Sequence, residues 1–187
     1  IMGWMTIYSA SLPLEESSIF DISQIYGRHM LFIGLTIPLI FIILFTDAKI
    51  FEKLSFVFYF FGIILLLGLF VFEVTKKGQT NWYQFRGFGF QPSEFVKTAT
   101  ALLLAKYLSF SQINLKNTKH QIIGLAIIAI PVLLILMQPD AGSAMIFVSL
   151  IFVLNREGLP SWYFFSGITA IALFFVSLVI DPTYLVV

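Results

Sequence analysis

Glu94 and Lys97 are two charged residues within an otherwise mostly apolar segment, residues 91–110. A spacing of three residues places both side chains on one face of a helix, near enough to form an ion pair. A charge at the centre of a bilayer costs at least about 2.5–3.5 kcal/mol, so such residues usually face the interior of a helix bundle and serve a function. The plainer alternative is that Pro92 begins the helix and Glu94 complements its positive end, which leaves Lys97 unexplained.

The Gln-Pro pair at residues 91–92 recurs at residues 138–139, directly before Asp140. Residues 141–144 are small, which permits close packing of helices. Two positive helix ends on one side of a membrane would suit a pyrophosphate or a sugar head group. For Asp140 alone, capping of the helix that follows is the simpler interpretation, and both interpretations stay open at this point.

The segment 73–90 combines Trp82 and four further aromatic residues with Arg86 and two lysines. Aromatic rings stack on sugars, and basic groups bind phosphate. A belt of aromatic residues with basic anchors at the membrane interface has the same composition, and composition alone favours that belt.

The composition limits the kind of protein that can contain these residues. The chain has 187 residues, of which 59% are hydrophobic and 11% are charged, whereas a typical soluble domain has about 25% charged residues. A water-soluble domain is therefore excluded. A net charge of +1 predicts no nucleic-acid partner. The absence of cysteine and of any zinc, P-loop or dinucleotide-binding pattern predicts no metal site and identifies no cofactor.

The few charges divide the chain into uncharged stretches close to the roughly 20 residues that a helix needs to cross a bilayer. Continuous apolar runs, without ten-residue alternation, favour a helical bundle over a barrel. The excess of basic residues in the linkers 47–53 and 106–120 places those linkers in the cytoplasm. We predict an all-α, polytopic transmembrane bundle, one domain over residues 1–187, with spans at about 1–13, 30–46, 54–72, 91–110, 121–139, 141–155 and 158–180.

Three segments carry a resemblance to a known family: NWYQFRGFGFQPSEFVKTATALLLAKYLS, QPDAGSAMIFVSLIFVLNREGLP and IFDISQIYG. In type, order and spacing they resemble the RodA/FtsW/SpoVE family of bacterial cell-shape and division proteins, the RodA branch above all. The resemblance runs over nearly the whole chain. It implies about seven of the family's ten helices, the first one partial, so we expect a fragment of a larger protein.

The resemblance also implies a function. Members of the family lie in the bacterial inner membrane and polymerise lipid II into glycan strands with a class B penicillin-binding protein. By this likeness Glu94 and Lys97 match an acid and a lysine that line a polar cavity, and Asp140 and Trp82 match motif residues. The candidate cavity and substrate site therefore comprises Trp82, Arg86, Gln91, Ser93, Glu94, Lys97 and Asp140.

The catalytic residue itself is expected elsewhere. The family's proposed catalytic aspartate lies in a large outer loop after the seventh helix, and this loop would begin near Asp181. No residue of this chain, Asp181 included, is assigned to that role, so we expect the 187 residues to be inactive alone. Glycosyl transfer needs a carboxylate as general base and stabilisation of the leaving pyrophosphate, by basic groups or by a divalent cation.

Two other functions stay open. The protein could move lipid II across the bilayer, with Glu94 and Lys97 as gating or proton-relay groups. It could also be a membrane scaffold that positions the partner transpeptidase.

Overall fold

The computed structural model describes residues 2–10, 24–71, 81–85 and 88–180. These residues form seven helices and one short hairpin, which confirms the predicted all-α class. The elements in chain order are α1 (Met2–Ala10), α2 (Ile25–Phe45), α3 (Ala48–Leu69), β1 (Tyr83–Phe85), β2 (Phe88–Phe90), α4 (Pro92–Ser109), α5 (Thr118–Leu136), α6 (Ala141–Arg156) and α7 (Ser161–Ile180).

Three of the described helices, α2, α3 and α5, are long and apolar enough to cross a membrane. None of the residues in the most apolar stretch of α2 is buried by the protein. A surface of this kind is unfavourable in water and suits contact with lipid or with other apolar helices. Helix α6 is also apolar but shorter, with 16 residues. The assignment of all seven helices as spans of one domain stays a prediction.

Three helices begin earlier along the chain than the predicted spans. α2 starts at Ile25 and not at residue 30, α3 starts at Ala48 and not at residue 54, and α5 starts at Thr118 and not at residue 121. The predicted limits were set by charged residues, whereas helical hydrogen bonding continues through a charged turn that lies outside the hydrocarbon. Helix α3 accordingly includes Lys49, Glu52 and Lys53.

The chain divides into two compact units, Ile1–Ile50 and Phe51–Val187. In the first unit α1 packs against α2, and the rings of Tyr8 and Tyr26 meet edge to face with centroids 5.2 Å apart. Tyr26 is fully buried.

The second unit has its core between α4, α5 and α6. This core includes Leu104, Ile128, Ile135, Phe147 and Leu154. A side chain at Gly62 would lie 2.8 Å from Val96 Cγ2, so the glycine permits α3 and α4 to approach closely.

Polar groups of α3 also reach across the second unit. Tyr59 Oη donates a hydrogen bond to the carbonyl of Ile127 at 3.0 Å, and Gln138 Nε2 donates to the carbonyl of Leu66 at 2.9 Å. Both bonds connect α3 to the region of α5, where a polar group without a partner would be costly.

The hairpin was not predicted from the sequence. β1 and β2 pair antiparallel, with Tyr83 opposite Phe90. Tyr83 Oη donates to the carbonyl of Leu65 at 2.9 Å, near the end of α3. Gly68 lies directly against this hydroxyl, and a side chain there would occupy the same space. The hairpin is thereby held on α3, immediately before α4 begins.

Candidate functional site

Helix α4 has an unusual N-terminus. Pro92 occupies the first helical position, as predicted, where its missing N–H removes no helical bond. Gln91 is the N-cap residue, yet its side chain makes no hydrogen bond to its own helix. The amide of Gln91 turns instead towards α6, so its role is to connect two helices.

Asp140 is the centre of the connection. Its Oδ1 accepts a hydrogen bond from the backbone N–H of Ser143 at 3.0 Å and so caps α6, which confirms the capping interpretation. Its Oδ2 accepts two further bonds, from Asn81 Nδ2 at 2.8 Å and from Gln91 Nε2 at 2.9 Å. The side chain is 8% exposed. Asp140 therefore joins the start of the hairpin, α4 and α6.

Ser143 completes the polar cluster. Its hydroxyl lies 3.3 Å from Gln91 Nε2 and 3.4 Å from the hydroxyl of Ser93. The structure therefore brings together three of the predicted site residues, Gln91, Ser93 and Asp140, and adds Asn81 and Ser143 to them. We call these five residues the junction cluster.

The environment of Asp140 keeps its carboxyl group charged. Burial raises the pKa of this group, but hydrogen bonds from the backbone and hydroxyl of Ser143, from Asn81 and from Gln91 lower it, and the net pKa lies below the ordinary value. At neutral pH the cluster therefore contains a carboxylate held by amide and hydroxyl donors. Among the residues that the structure describes, no Lys or Arg forms an ion pair with it.

Glu94 and Lys97 form the predicted ion pair. Lys97 Nζ lies 2.7 Å from Glu94 Oε1, and the two side chains are 19% and 60% exposed, respectively. The lysine is thus largely enclosed, while the carboxylate faces outwards. The sequence prediction that one face of α4 carries both charges is confirmed.

Lys97 also lines a groove between α4 and α6 with a volume of about 330 Å³. The α4 wall adds Thr98 and Ala101, and the α6 wall is formed by Ile146, Phe147, Ser149 and Leu150. The lining is mostly apolar with an ammonium group on one wall. Such a groove is suited to an amphipathic molecule that has an apolar chain and an anionic group.

Trp82 is the predicted site residue that the structure describes outside these contacts. Trp82 is half-buried, next to Asn81 along the chain. Arg86 lies outside the described residues, so its predicted role in binding phosphate stays a prediction. In the described ranges no three His, Cys, Asp or Glu side chains lie close enough to hold a metal ion.

Sequence reasoning missed Asn81 and Ser143. A local signal existed for Ser143, which stands at the third position after an N-cap residue, where capping partners are common. No local signal existed for Asn81, because its partner Asp140 lies 59 residues further along the chain.

The long apolar helices define a multi-pass helical membrane protein, and the polar cluster lies at the N-termini of two of its helices. Residues 1–186 match the sequence profile of one family, the FtsW/RodA/SpoVE cell cycle proteins. The chain belongs to this family.

Relatives of known name and structure agree with that assignment. Stage V sporulation protein E of Bacillus subtilis is 30% identical over 191 residues, which cover 98% of this chain and 51% of that protein. The peptidoglycan glycosyltransferase MrdB of Escherichia coli is 38% identical over 107 residues, 56% of this chain and 28% of that protein. The crystal structure of a variant of the rod shape determining protein RodA of Thermus thermophilus superposes with a TM-score of 0.76 at 25% identity, covering 92% of this chain and 54% of that one.

The chain spans about half the length of the curated relatives that it matches over most of its own length.

Proposed function

We propose that the whole protein is a peptidoglycan glycan-strand polymerase of the bacterial inner membrane. It would transfer the glycan of one lipid II molecule to a second one during cell-wall elongation, together with a class B penicillin-binding protein. The name of the Escherichia coli relative, a peptidoglycan glycosyltransferase, supports the activity. The similarity to RodA supports the role in cell shape.

The observation that carries the proposal is the placement of Lys97 on the wall of the groove. A lipid-linked pyrophosphate has a long apolar chain and an anionic group beside it, and the groove offers an apolar lining next to an ammonium. Glu94 pairs with Lys97 and limits the positions that its ammonium can adopt. The apolar lining of the groove and the Lys97 ammonium on its wall support a substrate of this class.

The reaction assigns each group a role. The 4-hydroxyl of one disaccharide attacks the anomeric carbon of the other, a carbon–oxygen bond to pyrophosphate breaks, and a carboxylate removes the hydroxyl proton. Lys97 would stabilise the negative charge on the leaving pyrophosphate. The carboxylate that acts as the base is not assigned to any residue of this chain.

The test is glycan synthesis by the full-length protein and its partner in detergent, with labelled lipid II as the substrate. We expect long glycan strands. A detergent micelle does not separate two compartments, so transport of lipid II cannot account for a polymer. A flippase or a scaffold without polymerase activity would make no glycan strands. Absence of strands under conditions where a control polymerase makes them would contradict the proposal.

A further inference from the structure

Asn81 is buried at the start of the hairpin, with 3% exposure. Its Nδ2 forms the shortest of the three hydrogen bonds to the Asp140 carboxylate, at 2.8 Å. Its Oδ1 is buried and has no partner among the described residues. Reversing the amide would turn a carbonyl oxygen towards a carboxylate, so donation to Asp140 fixes its orientation.

The bond from Asn81 acts on α4 through a shared oxygen. Asp140 Oδ2 accepts from both Asn81 and Gln91, while Oδ1 caps α6. Gln91 is the N-cap residue of α4. The N-termini of α4 and α6 are therefore held to one carboxylate, and Asn81 is the residue outside both helices that orients this carboxylate.

The position of Lys97 depends on this connection. Lys97 lies less than two turns after Gln91 on α4 and lines the groove against α6. A helix moves as a rigid element over so short a distance. A shift of the α4 N-terminus relative to α6 would therefore move the ammonium along the groove.

We propose that Asn81 is a positioning residue. Through Asp140 and Gln91 it sets the placement of α4 against α6 and, with it, the position of Lys97 in the groove. The effect on catalysis rests on the proposed function, whereas the placement of the helices can be measured without it.

The first experiment measures the placement directly. Thr98→Cys and Ser149→Cys introduce one thiol on each wall of the groove. The full-length protein used must have no other cysteine, and these 187 residues contain none. A short bismaleimide then links the two thiols. We expect Asn81→Ala to change the rate of this crosslinking at least about twofold, which corresponds to the smallest interaction energies found between residues of one hydrogen-bond network. An unchanged rate would overturn the proposal.

A matched control separates placement from general damage. Gln121 is also a buried amide, and it donates to the carbonyl of Leu115 and accepts from Tyr163, outside the junction cluster. Gln121→Met should lower thermal stability and leave the crosslinking rate unchanged. An equal change in both variants would show that the effect is not specific to Asn81.

The second experiment exchanges donor and acceptor. Asn81→Asp alone sets two carboxylates against each other. Adding Asp140→Asn restores a donor opposite an acceptor and keeps the cap of α6, because asparagine is as good an N-cap as aspartate. Gln91 can then accept through its carbonyl after a half-turn of its amide. We expect Asn81→Asp to lower polymerase turnover per folded molecule about two- to tenfold, and the double variant to recover most of it.

The outcomes distinguish the two proposals. If the wild type makes no glycan while Asn81→Ala still changes crosslinking, the proposed function fails and the positioning role stands. If glycan is made but turnover in Asn81→Asp falls only in proportion to the folded fraction, or the double variant recovers nothing, the positioning role is wrong.

Discussion

Lys97, paired with Glu94, places its ammonium on the wall of the groove. Lys106 serves as a comparison, since it lies in the last turn of the same helix and does not line the groove. If the pair acts on substrate, its loss should affect wall synthesis and not membrane insertion. Loss of a charged group from a substrate site commonly costs several kcal/mol of transition-state stabilisation.

We predict that Glu94→Ala and Lys97→Ala, each as the sole copy of the full-length gene, impair cell-wall synthesis at normal membrane levels. Lys106→Ala should support normal growth. Growth, cell shape and the amount of protein in the membrane fraction are the measurements. Normal growth of either of the first two variants would remove that residue from the site.

Asp140 gives a second prediction at this scale, in the dependence of stability on pH. Its folded-state pKa lies below the ordinary value, so its contribution to stability is complete above about pH 4 and is lost as the pH falls through the folded-state pKa. Asp140→Asn should be less stable than the wild type at neutral pH, because a neutral amide replaces a carboxylate that accepts three charge-assisted hydrogen bonds.

The apparent Tm of the two detergent-solubilised proteins, measured from about pH 7 to about pH 3, tests this sign. The difference in Tm should be constant near neutrality and shrink at the acid end. A difference that grows as the pH falls would contradict the account of this carboxylate.

The same residues show what the sequence permits one to predict. The ion pair of Glu94 and Lys97 follows from a spacing of three residues and helix geometry alone. The connection of Asp140 to Asn81 and Gln91 joins residues 59 and 49 positions apart, and only the packing of α4, α6 and the hairpin brings them together.

Among the elements, the helices follow from hydropathy and the hairpin does not. Apolar runs of nearly the length of a span identify a helix whatever packs around it. β1 and β2 have three residues each, too few for a recognisable alternation. The hairpin is recognised only in the folded chain, by the pairing of β1 with β2 and by the contact of Tyr83 with the backbone of α3.

Gly62 provides a test of helix packing at this scale. A methyl group there would lie 2.8 Å from Val96 Cγ2, so we predict that Gly62→Ala destabilises the full-length protein by about 1–3 kcal/mol. Gly34 of α2 has no atom within 4 Å of the same position and is the matched control. Gly34→Ala should be neutral or slightly stabilising.

Thermal unfolding of both variants in the same detergent is the measurement. Equal Tm values for Gly62→Ala and Gly34→Ala would show that α3 and α4 do not approach closely at this point.

For the molecule as a whole, membership of the family over residues 1–186 is consistent with two compact units of apolar helices. The family could be predicted from its motifs, because they consist of contiguous residues in a fixed order. The groove could not, because its walls come from α4 and α6, and their contact is a property of the folded chain.

We predict that these 187 residues alone, inserted in a membrane, make no glycan, since no residue among them is assigned as the general base. A glycan synthesis assay on the isolated piece beside the full-length protein tests this. Polymer made by the piece would place the base within residues 1–187.

The central claim is that Lys97 acts on a lipid-linked pyrophosphate in the groove. The most direct measurement is the turnover of labelled lipid II by full-length Lys97→Ala and Lys106→Ala with the partner present in detergent. We predict a loss of about 100-fold or more in kcat/KM for Lys97→Ala, typical of a lost transition-state charge contact, and near-normal turnover for Lys106→Ala. Equal turnover by the two variants would contradict the account.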